Sequence, residues 1–310
     1  MTFRLTMLGS ASALPAVGEY PTACVINSHE QFFLIDAGEG VQKQLIRYNI
    51  PLHKLNRILI THLHGDHVFG LFGLVSTMGL INRKHPLHIY APAALKHLMS
   101  VMGIFFDQLP YNIEHHPIDP YRTETIFENK TLSITTIPLN HSMPACGFLF
   151  KEKTPALNVS KAAIANHSLS LHEICAAKRG EDIVRADHTL PNSMLTYRPY
   201  TPRSIAYCTD TAYSDSIVEA VRGVDLLFHE ATFSCTDSTR AAQTGHSTAT
   251  DAATTALKAN VKRLVIGHFS SRYKGDNTAL LEEARKIFPQ TYCAAQGEVF
   301  DVKSHTFNPK

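Results

Sequence analysis

The stretch that decides the fold of this chain is Thr61-His62-Leu63-His64-Gly65-Asp66-His67. It places four metal-type ligands within six residues, directly after the apolar run Arg57-Ile58-Leu59-Ile60, which predicts a buried strand. Imidazole and carboxylate groups at this density are typical of a site for zinc or a similar divalent ion. All four cannot reach one tetrahedral ion without strain. The pattern therefore favours two adjacent ions, each completed by ligands from elsewhere.

Three further ligand candidates stand just past the ends of other predicted strands. They are His141 after strand Leu132–Ile137, Asp210 after strand Ser204–Cys208, and His268 after strand Arg263–Ile266. Because sites in open α/β sheets form outside the carboxyl ends of strands, we expect these residues to converge on the histidine-rich run.

Short apolar runs alternate with helical patterns along the chain, which predicts an α/β architecture. The other predicted strands are Phe3–Leu8, Ala23–Asn27, Phe32–Ile35, Leu87–Tyr90, Gly147–Phe150, Asp225–Phe228 and Glu298–Val302. The predicted helices outside the excursion described next are Gly38–Arg47, His67–Leu80, Pro92–Met102, Asp215–Val221, Thr248–Asn260 and Thr278–Phe288.

The segment 151–203 breaks this rhythm, and we interpret it as an inserted excursion within a single domain spanning residues 1–310. It is rich in proline and polar residues, and it carries eight Lys/Arg against five Asp/Glu. Two helices are predicted in it, Val159–Ala165 and Leu171–Lys178. The second begins with the capping-box pattern Ser170-x-x-Glu173. Either ordinary structural filler or a functional insertion fits this composition.

Bulk properties limit the function classes only weakly. The 310 residues are 44% hydrophobic, which is ample for a core, and the net charge of +2 argues neither for nor against nucleic-acid binding. The six cysteines are scattered without a Cys-x-x-Cys pair, so we expect them to be reduced. The N-terminus enters a strand at once and lacks the apolar stretch of a signal peptide. No apolar run is long enough to span a membrane.

The ligand pattern resembles the metallo-β-lactamase superfamily, and finer motifs resemble its ribonuclease Z family, the tRNA 3′-processing endonucleases. The motifs that carry this second resemblance are Leu8-Gly9-Ser10, Leu34-Ile35-Asp36-Ala37-Gly38-Glu39-Gly40, His229-Glu230-Ala231-Thr232-Phe233, Gly245-His246-Ser247-Thr248 and His268-Phe269-Ser270-Ser271-Arg272-Tyr273. The resemblance covers nearly the whole chain and is weakest at residues 151–203. It implies an αββα sandwich with two metal ions between the sheets.

The resemblance also implies roles for individual residues. It assigns His62, His64 and His141 to one zinc ion, Asp66, His67 and His268 to the other, and Asp210 to a bridge between them. Asp36 would order the neighbouring loop. Two Zn²⁺ per chain are expected, although Mn²⁺ or Fe²⁺ would suit the same ligands.

Two paired ions can activate a water molecule to attack phosphorus, and the departing sugar oxygen then needs a proton. Glu230 paired with His246 is the predicted proton donor, since a carboxylate favours the protonated imidazole. A cap residue at the start of a helix is the structural alternative for His246. Asp66 is a second catalytic candidate, which would orient the proton of the nucleophile. Arg272 is expected to bind a phosphate, and Tyr273 either stacks on a base or has a surface role.

The family resemblance further implies precursor tRNA as substrate, a homodimer and a cytoplasmic location. The parts that grip the substrate match poorly. Residues 151–203 lack the Gly-Pro motif of the family's tRNA-binding arm, although Lys178–Asp182 resembles the arm's exit. The loop Ala13–Pro21 lacks the Lys-x-Arg-Asn pattern. Two alternatives therefore stay open: a hydrolase of the same fold acting on another phosphodiester or a small thioester, and a non-catalytic RNA-binding relative.

Overall fold

The computed structural model describes residues 2–105 and 109–303. The strands in this part of the chain are β1 Phe3–Gly9, β2 Ala23–Ser28, β3 Gln31–Ile35, β4 Leu55–Leu59, β5 Leu87–Pro92, β6 Ile113–Ile118, β7 Thr125–Glu128, β8 Leu132–Pro138, β9 Cys146–Glu152, β10 Asn158–Val159, β11 Ile183–Val184, β12 Thr189–Leu190, β13 Thr196–Tyr197, β14 Ser204–Cys208, β15 Leu226–Glu230, β16 Leu264–Gly267, β17 Thr291–Cys293 and β18 Val299–Asp301. The α-helices are α1 Val41–Arg47, α2 Gly65–Leu80, α3 Leu95–Val101, α4 Lys161–His167, α5 Leu171–Lys178, α6 Asn192–Leu195, α7 Asp215–Ala220, α8 Ser238–Thr244, α9 Ala249–Lys258 and α10 Thr278–Ile287.

The described strands form two large sheets of seven strands each. The first has the order β18-β1-β2-β3-β4-β5-β6, and the second has the order β17-β16-β15-β14-β9-β8-β7. Strands β3 to β6 of the first sheet are mutually parallel, as are β14 to β17 of the second. Parallel runs of this kind direct their carboxyl ends, and the loops that follow, to one edge of each sheet.

The two sheets pack face to face and carry helices on their outer faces. Buried side chains from both sheets, including Phe33, Phe148 and Phe228, form the core between them. A second core lies between the first sheet and helices α1, α2 and α3, and a third lies between the second sheet and helices α7, α9 and α10. This four-layer arrangement confirms the predicted αββα sandwich.

Most predicted elements are present, with ends shifted by one to three residues. The sequence patterns missed strands β6, β7 and β17 and helix α8, and within the excursion they missed helix α6 and the short strands β10 to β13. Strand β6 reads Ile113-Glu114-His115-His116-Pro117-Ile118 and lies at the edge of its sheet. Its polar residues and its proline hide the apolar alternation of a strand, and its extended form comes from pairing with β5 along its whole length.

The excursion folds as a compact lobe with its own small core. Helices α4 and α5 pack with two short antiparallel strand pairs, β10–β13 and β11–β12, around a buried cluster that includes Ala177 and Leu195. The capping box at Ser170 and Glu173 is present as predicted. At its base, the Glu152 backbone N–H donates to the Arg203 carbonyl oxygen at 2.9 Å, so the chain leaves and re-enters the second sheet at one point.

All six cysteines are unpaired, as predicted; Cys24, Cys146 and Cys208 are buried, where they act as small apolar side chains. Among the described residues, every helix is too short or too polar to cross a lipid bilayer.

Candidate metal centre

The histidine-rich run forms the turn between β4 and α2, so its four ligand candidates lie at the carboxyl end of a buried strand. His62 and His67 are fully buried. Asp66 and His67 lie in the first turn of α2. The buried carboxylate of Asp36 holds this turn, because it accepts hydrogen bonds from the Thr61 backbone N–H at 2.8 Å and from His67 Nδ1 at 2.8 Å. The second bond leaves Nε2 of His67 free to face the other ligand candidates.

The other three candidates reach the same place from loops that follow β8, β14 and β16, as predicted. His141 follows β8, Asp210 follows β14, and His268 follows β16. Asp210 and His268 have positive φ angles of 38° and 61°. Non-glycine residues rarely adopt such angles, and the strain persists only where surrounding contacts enforce it, often at functional sites. The backbone therefore bends at both positions to bring the side chains together.

The first cluster joins His62, His64, His141 and Asp210, whose ligand atoms all lie within 4.8 Å of one another. His64 Nδ1 is 2.9 Å from His62 Nε2 and 3.3 Å from His141 Nε2. Asp210 Oδ2 is 3.5 Å from His62 Nε2 and 3.8 Å from His141 Nε2. Ligand atoms on a tetrahedral zinc ion stand about 3.3–3.4 Å apart, given bonds of about 2.0–2.1 Å. The spacing therefore suits one ion.

The second cluster joins Asp66, His67 and His268, and Asp210 also reaches it. His67 Nε2 lies 3.4 Å from Asp66 Oδ2 and 3.4 Å from Asp210 Oδ1. His268 Nε2 lies 3.7 Å from Asp66 Oδ2 and 3.2 Å from Asp210 Oδ1. Asp210 thus turns one carboxylate oxygen to each cluster, which is the geometry of a bridging ligand.

Two buried nitrogens in this cluster lack a hydrogen-bond partner among the described residues. They are Nε2 of His67 and Nε2 of His268, which point at the carboxylates of Asp66 and Asp210. A buried polar atom without a partner is costly, so such an atom calls for an explanation. A bound cation would explain both nitrogens, because the lone pair of each Nε2 could bind to it. The residues therefore fit a pair of divalent ions.

The far nitrogens of the ligand histidines are held by neighbouring groups. His141 Nδ1 donates to the Gly245 carbonyl oxygen at 2.8 Å, and His268 Nδ1 lies 2.9 Å from the Thr232 hydroxyl. Contacts of this kind fix the tautomer and the ring orientation of a metal ligand. Thr232 was missed by sequence reasoning as a residue of the site, although it stands within the quoted His-Glu-Ala-Thr-Phe motif.

The charges within the site shift the protonation of its carboxyl groups. Burial alone would raise the pKa of Asp66, but the adjacent imidazoles of His268 and His67 hold it well below its ordinary value. Burial likewise opposes the charged form of Asp210, and the neighbouring histidines, His268 first, lower its pKa. Both carboxyl groups are therefore ionised at neutral pH, as metal ligands must be.

Glu230 and His246 form a buried pair beside the two clusters. Glu230, at the end of β15, is fully buried, and its Oε1 lies 2.8 Å from His246 Nδ1. The carboxylate also accepts hydrogen bonds from the Thr211 backbone N–H at 2.8 Å and from the Thr232 hydroxyl at 2.6 Å. Burial lowers the pKa of His246, but the Glu230 carboxylate outweighs this and raises it to about 9. Thr248, not His246, is the N-cap of α9.

A cavity of about 570 Å³ opens over the clusters. His246 lines it, together with the rings of Phe69 and Phe233 and the guanidinium groups of Arg240 and Arg272. Arg240, on α8, was missed by sequence reasoning because α8 itself was not predicted. Among the described residues no carboxylate pairs with Arg240. The opening therefore combines aromatic surface with positive charge.

The two residues predicted to contact substrate are held by an acidic neighbour. Arg272 donates to Asp237 at 2.6 Å and lies over the ring of Phe233. The Tyr273 hydroxyl accepts from the Ser234 backbone N–H at 2.7 Å and donates to Asp237 at 3.1 Å. Arg272 lines the cavity, whereas Tyr273 is not among the described residues that do. This placement favours the structural role for Tyr273 over base stacking.

Known proteins match this chain over its length. A family model described as "Anti-Pycsar protein Apyc1" matches residues 3–157, and one described as "Beta-lactamase superfamily domain" matches residues 160–269. A ribonuclease Z from Bacteroides thetaiotaomicron is 44% identical, covering 98% of this chain and 96% of the relative. One from Porphyromonas gingivalis strain W83 is 42% identical, covering 94% and 96%. The crystal structure of the short form of human tRNase Z is 25% identical, with a TM-score of 0.70, covering 96% of this chain and 98% of that one.

Proposed function

The chain belongs to the ribonuclease Z family of the metallo-β-lactamase superfamily, and from this premise we propose that it removes the 3′ trailer from precursor tRNA as a metal-dependent endoribonuclease. The observation that carries the proposal is the bridging geometry of Asp210, whose two oxygens face two separate groups of ligand atoms. A pair of divalent ions can stabilise both the attacking and the leaving oxygen in phosphodiester hydrolysis.

We propose that two zinc ions occupy the site. His62, His64 and His141 would hold one ion, Asp66, His67 and His268 the other, and Asp210 both. When bound, the ions would polarise the phosphoryl oxygen and supply a nucleophile from water at neutral pH. Nitrogen and carboxylate ligands also accept Mn²⁺ and Fe²⁺, so the donor set supports a divalent first-row ion and zinc by preference.

His246 would donate the proton to the leaving sugar oxygen. Its Nδ1 is engaged by Glu230 at 2.8 Å, so Nε2 is the nitrogen available to the cavity that the ring lines. Glu230 would stabilise the charged imidazole and hold its orientation, while Thr211 and Thr232 fix the carboxylate in turn. Asp66, in contact with both His67 and His268, would orient the proton of the nucleophile in addition to binding metal.

Substrate binding would extend from the cavity to the excursion lobe. Arg272 and Arg240 at the cavity can each bind a phosphate oxygen. A phosphate would have to compete with Asp237 for Arg272, whereas Arg240 has no such competitor. The excursion at about residues 151–203, within a single domain spanning 1–310, would serve as the tRNA-binding arm. A homodimer, in which the arm of one subunit serves the other, completes the proposal. We expect the protein in the cytoplasm.

Another phosphodiester is the second candidate substrate. It is favoured by the divergence of the arm, which lacks the family's Gly-Pro motif. A thioester is less well supported, because the Glu230–His246 pair serves an alkoxide leaving group more than a thiolate. The complete set of seven ligand residues speaks against a non-catalytic RNA-binding protein.

The test is cleavage of precursor tRNA by the metal-loaded protein, with mapped 3′ ends, beside an Asp66→Ala variant. Cleavage directly after the discriminator base by the wild type, absent in the variant, supports the proposal. Hydrolysis of bis-(p-nitrophenyl) phosphate without any cleavage of precursor tRNA would transfer the proposal to the second candidate.

A further inference from the structure

A second group of metal-type side chains lies at the edge of the first sheet, apart from the centre described above. His88 stands on β5, and Glu114 and His116 stand on the edge strand β6. The parallel register pairs His88 with Glu114 and Tyr90 with His116. Because side chains alternate along a strand, His88, Glu114 and His116 share one face of the sheet. None of the three lines the cavity over the metal centre.

This group lies near the amino ends of its strands, whereas the metal centre follows the carboxyl ends. His88 is the second residue of β5, and Glu114 is the second residue of β6. His88, Glu114 and His116 lie on the same face of the first sheet as Tyr90, which packs into the core between the two sheets. Leu87 and Ile89 lie on the opposite face and pack against the helices. The two places therefore stand at opposite ends of the first sheet.

The distances within the group match a metal site. His88 Nδ1 is 3.1 Å from His116 Nε2 and 3.1 Å from Glu114 Oε2, and His116 Nε2 is 3.9 Å from the same carboxylate oxygen. These values bracket the separation of about 3.3–3.4 Å between ligand atoms on tetrahedral zinc. A single proton can bridge only two of the three atoms at a time. One cation would satisfy all three.

The surroundings hold the ligands and leave room for water. The ring of Tyr90 stacks on His116 with 4.5 Å between centroids, which fixes that imidazole. The side chains of His88, Glu114 and His116 are 28%, 48% and 40% exposed, so solvent reaches the remaining position. Arg57 on β4 is a neighbouring cation, paired with His88 in the strand register, but its guanidinium lies over the ring of Phe127 at 4.4 Å. The Glu114 carboxylate offsets its charge.

We propose that His88, Glu114 and His116 bind one divalent transition-metal ion of the zinc class, with water completing a tetrahedron. Three protein ligands with an open fourth position are a common arrangement for zinc. An ion there ties the edge strand β6 to β5 through side chains, on the side of the sheet where none of the described strands pairs with β6 beyond β5. The site is independent of the two ions proposed for the metal centre.

The experiment counts zinc ions bound per chain. The full chain is dialysed against micromolar ZnCl₂, and bound metal is measured by mass spectrometry with inductively coupled plasma. The wild type is compared with the double variant His88→Gln/His116→Gln. The control is His115→Gln, because His115 lies between the two ligands of β6, points to the opposite face and contacts the Ala91 carbonyl oxygen at 3.3 Å.

The double variant is expected to bind one ion fewer per chain than the wild type, and the control is expected to bind the same number. The same difference should persist when both are made in an Asp210→Asn background, which removes the bridge of the metal centre. Equal zinc content in the wild type and the double variant overturns the proposal, and the group is then a proton-bridged cluster only. If the double variant does not fold, the single variant Glu114→Gln, at an exposed position, is measured instead and is also expected to bind one ion fewer than the wild type.

Discussion

Replacing His246 with glutamine should separate protonation of the leaving group from every other step. Glutamine keeps the approximate size of the side chain but cannot carry a proton to the sugar oxygen. A positioned general acid contributes about 10²–10⁴-fold to a rate. That range corresponds to about 3–5 kcal/mol of transition-state stabilisation. Because Nδ1 of His246 is held by a fully buried carboxylate and its ring lines the cavity, we expect a loss within this range on precursor tRNA.

The same variant should hydrolyse bis-(p-nitrophenyl) phosphate almost as fast as the wild type. The nitrophenolate ion leaves without a proton, so a missing acid costs little. The assay therefore measures kcat/KM on both substrates at saturating zinc. Asp210→Asn is the matched control, because it disturbs both clusters of ligand atoms and should lower both activities together. The ratio of the two activities, not either rate alone, reports proton donation.

The reasoning fails if His246→Gln lowers both activities by the same factor. That outcome would mean that His246 supports the geometry of the site, for example through its ring contact with His268 at 5.4 Å between centroids. Bound zinc is measured in parallel, so that a loss of metal is recognised as such.

Three further predictions concern binding, the excursion and stability. Arg240→Ala should weaken binding of precursor tRNA and reduce the slope of log Kd against log salt by about 1. Arg272→Ala should have a smaller effect, because the Asp237 carboxylate already pairs with that side chain. Fluorescence anisotropy at several salt concentrations measures both effects. Replacing residues 154–201 with a short glycine-serine linker should lower the rate of precursor-tRNA cleavage about tenfold or more, while turnover of bis-(p-nitrophenyl) phosphate persists. An equal loss of both activities would contradict the proposal that the excursion is a tRNA-binding arm. Glu152→Gln should lower the free energy of unfolding by about 3–5 kcal/mol, since it removes the carboxylate charge that pairs with the buried guanidinium of Arg203. Urea unfolding measures the change, and a loss below about 1 kcal/mol would contradict this reasoning.

Local signals predicted the elements whose cause is local. The capping box at Ser170 has both partners within three residues, and it is present as predicted. Strand β14 is a buried, mostly apolar run, as the interior of a parallel sheet requires. Strand β6 was missed because its extended form depends on a partner strand and not on its own composition.

The residue types of the metal centre were readable from the chain, and so was their position after strands. The histidine-rich run, His141, Asp210 and His268 were all expected to converge, and the structure brings their ligand atoms together. Arg240 could not be assigned in this way, because nothing in its local sequence distinguishes an arginine that lines a cavity from one on an ordinary surface.

The sequence by itself indicated an α/β fold and the donor atoms available for metal, and its motifs indicated the family, whose resemblance in turn implied the four-layer sandwich. Only the tertiary structure decided which oxygen of Asp210 faces which cluster, that Thr232 orients His268, and that Asp237 holds Arg272 and Tyr273. It also brought the ligand types of β5 and β6 into one group. The physical reason is that such contacts join residues far apart in the chain, so their distances depend on strand register and on how the two sheets pack, which no local pattern specifies.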